Sequence, residues 1–392
     1  MGLALREYMW KSLGLAALCT VFSLSSGEEL TLSATYLTSP RVASTSYENA
    51  KALNIGPQKL PYPSARITAR AFGDFFQRGA FDLFVATTTF DPAVQPERAA
   101  RGAFEFWRRM QDNTFVRDSS ILLDDGGCVY PTKAVVADFN RDGKPDIFVA
   151  CRGLGTTAFV GERSAILLSQ HDGTYKTSFL DIEGAFVSAA AADLTGTGRI
   201  DVVAVDGNAT TYSRTAGVSA DEFPIDSTTA TVILVNDGQG RFVPRPSLMT
   251  QVITDFTDVE ALDLNGDGRP DIVLLGADGG YGQPSIVMLN DGTGSFANVK
   301  PVVLPRASIA NPAPQDLVFV GNALYVSRTD ASAHGKRTIQ RIGWPGLDST
   351  LIDDKEVHSA LPDAGWMVPV EREGKTKLSI DCVPSAAGLD LR

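Results

Sequence analysis

Ala137-Asp138-Phe139-Asn140-Arg141-Asp142-Gly143-Lys144-Pro145-Asp146 runs straight into the apolar stretch Ile147 to Ala150. Leu262-Asp263-Leu264-Asn265-Gly266-Asp267-Gly268-Arg269-Pro270-Asp271 runs in the same way into Ile272 to Leu275. The two segments match position by position, so the chain carries an internal repeat, and a repeat decides a fold before any other feature does. A third copy reads Ala192-Asp193-Leu194-Thr195-Gly196-Thr197-Gly198-Arg199-Ile200-Asp201. A fourth, more eroded, reads Gly73-Asp74-Phe75-Phe76-Gln77-Arg78-Gly79-Ala80-Phe81-Asp82. Small and apolar residues precede the copies, and β-branched or aromatic residues follow them. That order predicts strand, tight polar loop, strand.

A second signal is interleaved with the first. Asn236-Asp237-Gly238 and Asn290-Asp291-Gly292 follow apolar runs, and Gln170-His171-Asp172-Gly173 is a looser copy. Asn, Asp and Gly tolerate positive φ, so these tripeptides mark hairpin turns. The repeating unit is therefore two hairpins, or four strands. Two later hairpins lack the polar loop: Leu317 to Val320 with Ala323 to Ser327, and Met367 to Val370 with Leu378 to Cys382. Six units are recognisable, and residues near 30–60 with a terminal strand offer a seventh. The expectation is an all-β chain, a β-propeller of six or seven four-stranded blades, forming one domain over 28–392. A closed ring of blades hides the sheet edges.

The polar loop has its own chemistry. Calcium takes six to eight oxygen ligands, carboxylates mixed with carbonyls. Asp138, Asn140 and Asp142 alternate, so a curled loop can turn all three inward, and Gly143 permits the reversal. The Lys144 carbonyl is the expected backbone ligand, its side chain facing water, and Asp146 closes the site. The same roles fall to Asp263, Asn265, Asp267, the Arg269 carbonyl and Asp271. Carboxylates held so close repel one another without a cation. An EF-hand begins similarly but needs a chelating Glu at its twelfth position; Val149 and Leu274 stand there. Two Ca2+ sites are thus expected. The copy at 193–201 has Thr195 and Thr197 in place of ligands. The copy at 74–82 has Phe76 and Arg78, which leave no cage; Arg78 can pair with Asp74 or Asp82, standing in for the lost cation or, the favoured expectation, as an ordinary surface ion pair.

These loops and strands resemble the FG-GAP/VCBS repeat family, the propeller repeats of integrin α-chains. The resemblance is clear over about 66–300 and weaker beyond. It implies that each loop joins two strands of one blade and binds calcium. Because one fold hosts many functions, the match fixes fold better than role.

The N-terminus carries its own signal. Arg6 and Lys11 precede the apolar run Leu13 to Leu24, and small residues Ser25, Ser26 and Gly27 follow. This reads as a signal peptide over 1–27, too short to anchor in a bilayer. A secreted, periplasmic or cell-surface protein with no membrane span is expected. Export brings an oxidising compartment. Cys128 and Cys151 bracket one predicted hairpin and are the best disulfide candidates, with Cys382 unpaired; three buried thiols are the alternative. The net charge of -11 argues against a nucleic-acid partner, which needs a basic stripe. No nucleophile elbow or zinc signature stands near the three histidines, His171, His334 and His358. The leading functional expectation is a monomeric, non-enzymatic binding or adhesion module for a protein or carbohydrate ligand. Its long inserts at about 152–164, 206–228 and 276–284 are candidates to present that ligand. A propeller hydrolase or lyase with an unrecognised active site is one alternative, and a structural envelope component is the other.

Overall fold

Five times over, an apolar strand meets a tight turn and folds back on its partner, and five times the hairpin recruits two further strands. A computed structural model of the chain describes residues 66–80, 82–88, 99–110, 115–124, 126–154, 161–207, 230–249, 256–276, 283–307, 312–330, 336–352, 367–372, 375–380 and 389–390. The first blade holds β1 (Arg66–Gly73), β2 (Asp82–Thr88), β3 (Phe104–Arg109) and β4 (Phe115–Arg117). The second holds β5 (Pro131–Ala137), β6 (Asp146–Cys151), β7 (Glu162–Ser169) and β8 (Tyr175–Gly184). The third holds β9 (Phe186–Ala192), β10 (Asp201–Asp206), β11 (Ala230–Asn236) and β12 (Phe242–Pro244). The fourth holds β13 (Phe256–Leu262), β14 (Asp271–Gly276), β15 (Ile286–Met288) and β16 (Val302–Val303). The fifth holds β17 (Pro312–Val320), β18 (Ala323–Asp330), β19 (Lys336–Gly343) and β20 (Ser349–Ile352).

Each blade is an antiparallel meander in chain order. Among the described residues the chain is an all-β propeller with five four-stranded blades. The expected six or seven four-stranded blades are therefore corrected. The last hairpin, β21 (Met367–Arg372) and β22 (Lys375–Ile380), adds only the two-residue β23 (Leu389–Asp390), making a three-stranded sheet. Hairpins can be counted from turn residues, but a two-residue strand leaves no periodic pattern to count. The proposed seventh unit near 30–60, the segment 1–27, Cys382, His334 and His358 lie outside the described residues, as do most of the long inserts.

The core is distributed between blades. One cluster packs Phe84, Phe104 and Phe106 of the first blade against Ala134, Ile147 and Val149 of the second. Phe148 and Ile166 meet Ala189, Val202 and Val232 across the next seam, and similar clusters join the third blade to the fourth and the fourth to the fifth. The second strands β2, β6, β10 and β14 are buried along their whole length, because both faces of a blade are covered by neighbours. This is why they read as unbroken apolar runs, the pattern of strands buried on two sides.

One irregularity recurs in all five blades. The first strand skips a residue against its partner between Ile67 and Ala69, Pro131 and Lys133, Phe256 and Asp258, and Pro314 and Asp316. In the third blade the same slip falls between Phe186 and Ser188. Such a bulge bends the strand and re-aims the following side chain. Those side chains are Ala69, Lys133, Ser188, Asp258 and Asp316.

The Cys128–Cys151 disulfide forms as expected, with Cα atoms 6.0 Å apart, tying the segment before β5 to the end of β6. Replacing both cysteines with alanine should cost about 3 kcal/mol, from the loop-closure entropy of the intervening chain. Chemical denaturation with and without reductant reads this directly.

Candidate calcium loops

The four loops share one hydrogen-bonded frame. The first aspartate accepts two backbone N–H groups, those of the fifth and sixth loop residues. Asp138 takes Asp142 N at 3.0 Å and Gly143 N at 2.9 Å, and Asp263 takes Asp267 N and Gly268 N at 3.1 and 2.9 Å. Asp74 and Asp193 do the same with Arg78 and Gly79, and with Thr197 and Gly198. The sixth residue is a left-handed glycine every time, with Gly143 at φ 81° and Gly268 at φ 82°, where a side chain would be strained.

The closing aspartate is also shared. Asp146 is 0% exposed. One oxygen accepts Phe139 N at 2.8 Å and Asn140 N at 3.1 Å; the other accepts Ser169 N and Ser169 Oγ, both at 2.7 Å. Asp271 joins Leu264 N to Asn290 N, Asp201 joins Thr195 N to Asn236 N, and Asp82 joins Phe76 N to Arg109 N. Each closing acid thus locks its loop to the end of the third strand of its blade. Burial pushes all four carboxyls above the usual range, Asp146 to about 6.

The loops differ at their third and fifth residues. In the first blade Arg78 donates to Asp82 Oδ1 at 2.5 Å and to the Arg109 carbonyl at 3.1 Å. The Arg78–Asp82 pair expected from the sequence forms, joining an exposed guanidinium, 38% accessible, to a fully buried acid. In the third blade Thr195 donates to Asp201 Oδ2 at 2.7 Å and lies 3.3 Å from the Thr197 hydroxyl. Here the protein brings its own donors to the buried acid. In the second and fourth blades the same positions bring acceptors: Asn140 Oδ1 and Asn265 Oδ1 each receive the backbone N–H of the following acid at 3.0 Å. Asp142 and Asp267 complete the set. Oxygen-only donors of this kind suit a hard cation such as calcium.

Among the described residues the three acids of neither loop bring one oxygen each within 4.8 Å of one another. Other partners hold them apart. Ser169 Oγ lies 3.3 and 3.2 Å from the Asp142 oxygens, and the Arg269 guanidinium pairs with Asp267. Lys144 does not face water as expected. Its Nζ donates to the carbonyls of Gln170 and His171 at 2.7 and 3.2 Å.

The Asn-Asp-Gly tripeptides do more than turn the chain. Asn236 Nδ2 in fact donates to Phe139 O, in the loop of the preceding blade, at 2.8 Å and to Ile200 O at 2.9 Å. Asn290 Nδ2 reaches Leu194 O at 3.2 Å and Pro270 O at 3.1 Å. Each asparagine rivets one loop to the next. Asn236→Ala should cost about 1–3 kcal/mol, since it takes a donor from the Phe139 and Ile200 carbonyls and an acceptor from Gly238 N and Gly240 N; the denaturation midpoint should fall without a change in slope.

A family model described as the FG-GAP-like repeat matches residues 263–319, from the loop of the fourth blade into β17. No curated protein matches the chain by sequence. Among solved structures the chain is similar to a puromycin hydrolase, at 14% identity and TM-score 0.44, covering 91% of this chain and 50% of that one. It is also similar to an exotype rhamnogalacturonan lyase, at 14% identity and TM-score 0.33, covering 84% of this chain and 57% of that one. A Bacillus licheniformis rhamnogalacturonan lyase gives 14% identity, TM-score 0.34 and the same coverage, 84% and 57%. The chain spans little more than half the length of these structures, and likeness at this level says nothing of its activity. What the sequence match identifies is an FG-GAP-like repeat at 263–319, carried by a β-propeller.

Proposed function

We propose that this chain is an exported propeller, stabilised by calcium in the loops of its second and fourth blades, that binds a protein or carbohydrate ligand without transforming it. The observation that carries the calcium reading is the contrast among four loops with one frame. Where the third and fifth residues are not the acceptor pair of an amide oxygen and a carboxylate, Arg78 or Thr195 donates to the buried acid. Where they are acceptors, the loop gathers negative charge that a cation offsets. Calcium would be held by Asp138, Asn140, Asp142, the Lys144 carbonyl and Asp146, and by Asp263, Asn265, Asp267, the Arg269 carbonyl and Asp271. Bound there, it supplies charge compensation and rigidity to the turn.

Strand direction supports a placement for the ligand. In the first four blades the calcium-type loop joins the first strand to the second, in the fifth the short Gly321 turn does, and the turn after the third strand lies at that same end. The connections from second to third strand leave from the opposite end, and they include the long inserts at about 152–164, 206–228 and 276–284. Loops of that kind, on a rigid frame, are where binding residues concentrate. A glycan array and a pull-down from the cell envelope, run with calcium, should return a ligand whose binding is lost on shortening 206–228. Turnover of a glycan or peptide in hydrolase and lyase screens would overturn the non-enzymatic reading.

A further inference from the structure

The bulge that recurs in all five first strands aims a lysine, a serine and two aspartates at a common point, and none of them belongs to the loops. Lys133 of β5, Ser188 of β9 and Asp258 of β13 are each the fifth residue before their loop's first aspartate. Asp316 of β17 holds the same place before the Gly321 turn. Lys133 Nζ donates to Asp258 Oδ1 at 2.7 Å, Glu260 Oε1 at 2.6 Å, Ser188 Oγ at 3.2 Å and Val259 O at 3.2 Å. Ser188 Oγ donates to Asp258 Oδ1 at 2.5 Å. Four different blades therefore meet where their first strands converge, towards the end of the propeller from which the long connections leave.

Asp258, Glu260 and Asp316 each bring a carboxylate oxygen within 4.8 Å of the other two. They are 6%, 1% and 1% exposed. The second oxygen of Asp258, Oδ2, is buried with no hydrogen-bond partner. A buried carboxylate oxygen without a partner carries a desolvation cost that a cation would remove. The other group of this kind, Cys128, Cys151 and Glu162, offers no such site, because its sulfurs are joined to each other.

We propose that Asp258, Glu260 and Asp316 form a third cation site, at the convergence of the blades, for a hard divalent ion. Three carboxylates and no nitrogen or sulfur ligand select calcium, magnesium or manganese over softer metals. Lys133 already neutralises the Oδ1 side of Asp258 and one oxygen of Glu260, so the ion takes the side of Asp258 Oδ2. The lysine stands beside it as a second, fixed positive charge, which weakens the site and keeps it exchangeable.

The test uses Mn2+ as the probe on the full chain. Anomalous diffraction from Mn2+-soaked crystals should place a peak among the three carboxylates. Native mass spectrometry of Asp142→Ala/Asp267→Ala, whose two loop sites are crippled, should still find one Mn2+ per chain, and adding Asp316→Asn should remove it. Lys133→Met should tighten Mn2+ binding at this site at least tenfold. Wild-type crystals with no peak there, and a double variant that binds no Mn2+, would overturn the proposal while leaving the loop sites standing. A peak among the three carboxylates with none in the loops would support it and sink the calcium reading of the loops instead.

Discussion

Asp146→Ala is expected to destabilise the protein by about 3–5 kcal/mol and to abolish one calcium site. The stability loss follows from what the carboxylate holds. It accepts Phe139 N, Asn140 N, Ser169 N and Ser169 Oγ, and alanine leaves the three backbone donors without this partner, at roughly 1–3 kcal/mol each before relaxation, while Ser169 Oγ can still turn to Asp142. Asp201→Ala is the matched control. Asp201 accepts Thr195 N, Thr195 Oγ1 and Asn236 N in a loop whose threonines have replaced the ligands. It should destabilise comparably and leave the ion count unchanged. Equal loss of ions in both variants would show that the closing acid acts on calcium only through the fold. The calcium-free wild type should also lose stability as pH rises from about 4 to about 6. Asp146, raised by burial to about 6, binds its proton more readily folded than unfolded, so its contribution is full below the unfolded value and declines above it.

Chelation should lower the melting temperature, and added calcium should restore it. The unfolded chain cannot assemble either ligand set, so binding energy becomes folding energy. At a calcium concentration about 100 times the dissociation constant, each site adds roughly 2.7 kcal/mol, and two add about 5.4 kcal/mol. Asp142→Ala and Asp267→Ala should each remove about half of the shift. Arg78→Ala should leave the calcium-dependent shift intact while lowering the baseline, because the guanidinium it removes is bonded to the buried Asp82.

Much of this was legible before the structure, and for a physical reason. Gly143 and Gly268 announce a left-handed turn because other residues are strained there, and unbroken apolar runs such as Ile147 to Ala150 announce a strand covered on both faces. The four-stranded blade could be read from two interleaved turn signals. The blade count could not, because β23 is a two-residue strand and carries no pattern. The loop acids were legible as a group but not in their division of labour. Spacing alone does not reveal that the counterparts of Asp138 and Asp146, Asp74 and Asp193 with Asp82 and Asp201, do the same hydrogen-bonding work in loops that have lost their other ligands. Lys133, Asp258, Glu260 and Asp316 stand in the sequence as charges inside largely apolar strands, PTKAVVA, FTDVEAL and PAPQDLVFV. Only the bulge, a register slip that leaves no mark in composition, shows that they point to one place.

The most direct measurement is the number of calcium ions bound per chain, by titration calorimetry on chelator-stripped protein, in the wild type and in Asp142→Ala/Asp267→Ala. Subtracting one count from the other isolates the loops from any other site. The account predicts a difference of two ions per chain, with the Thr197→Ala and Arg78→Ala counts equal to wild type; identical counts for wild type and the double variant would contradict it.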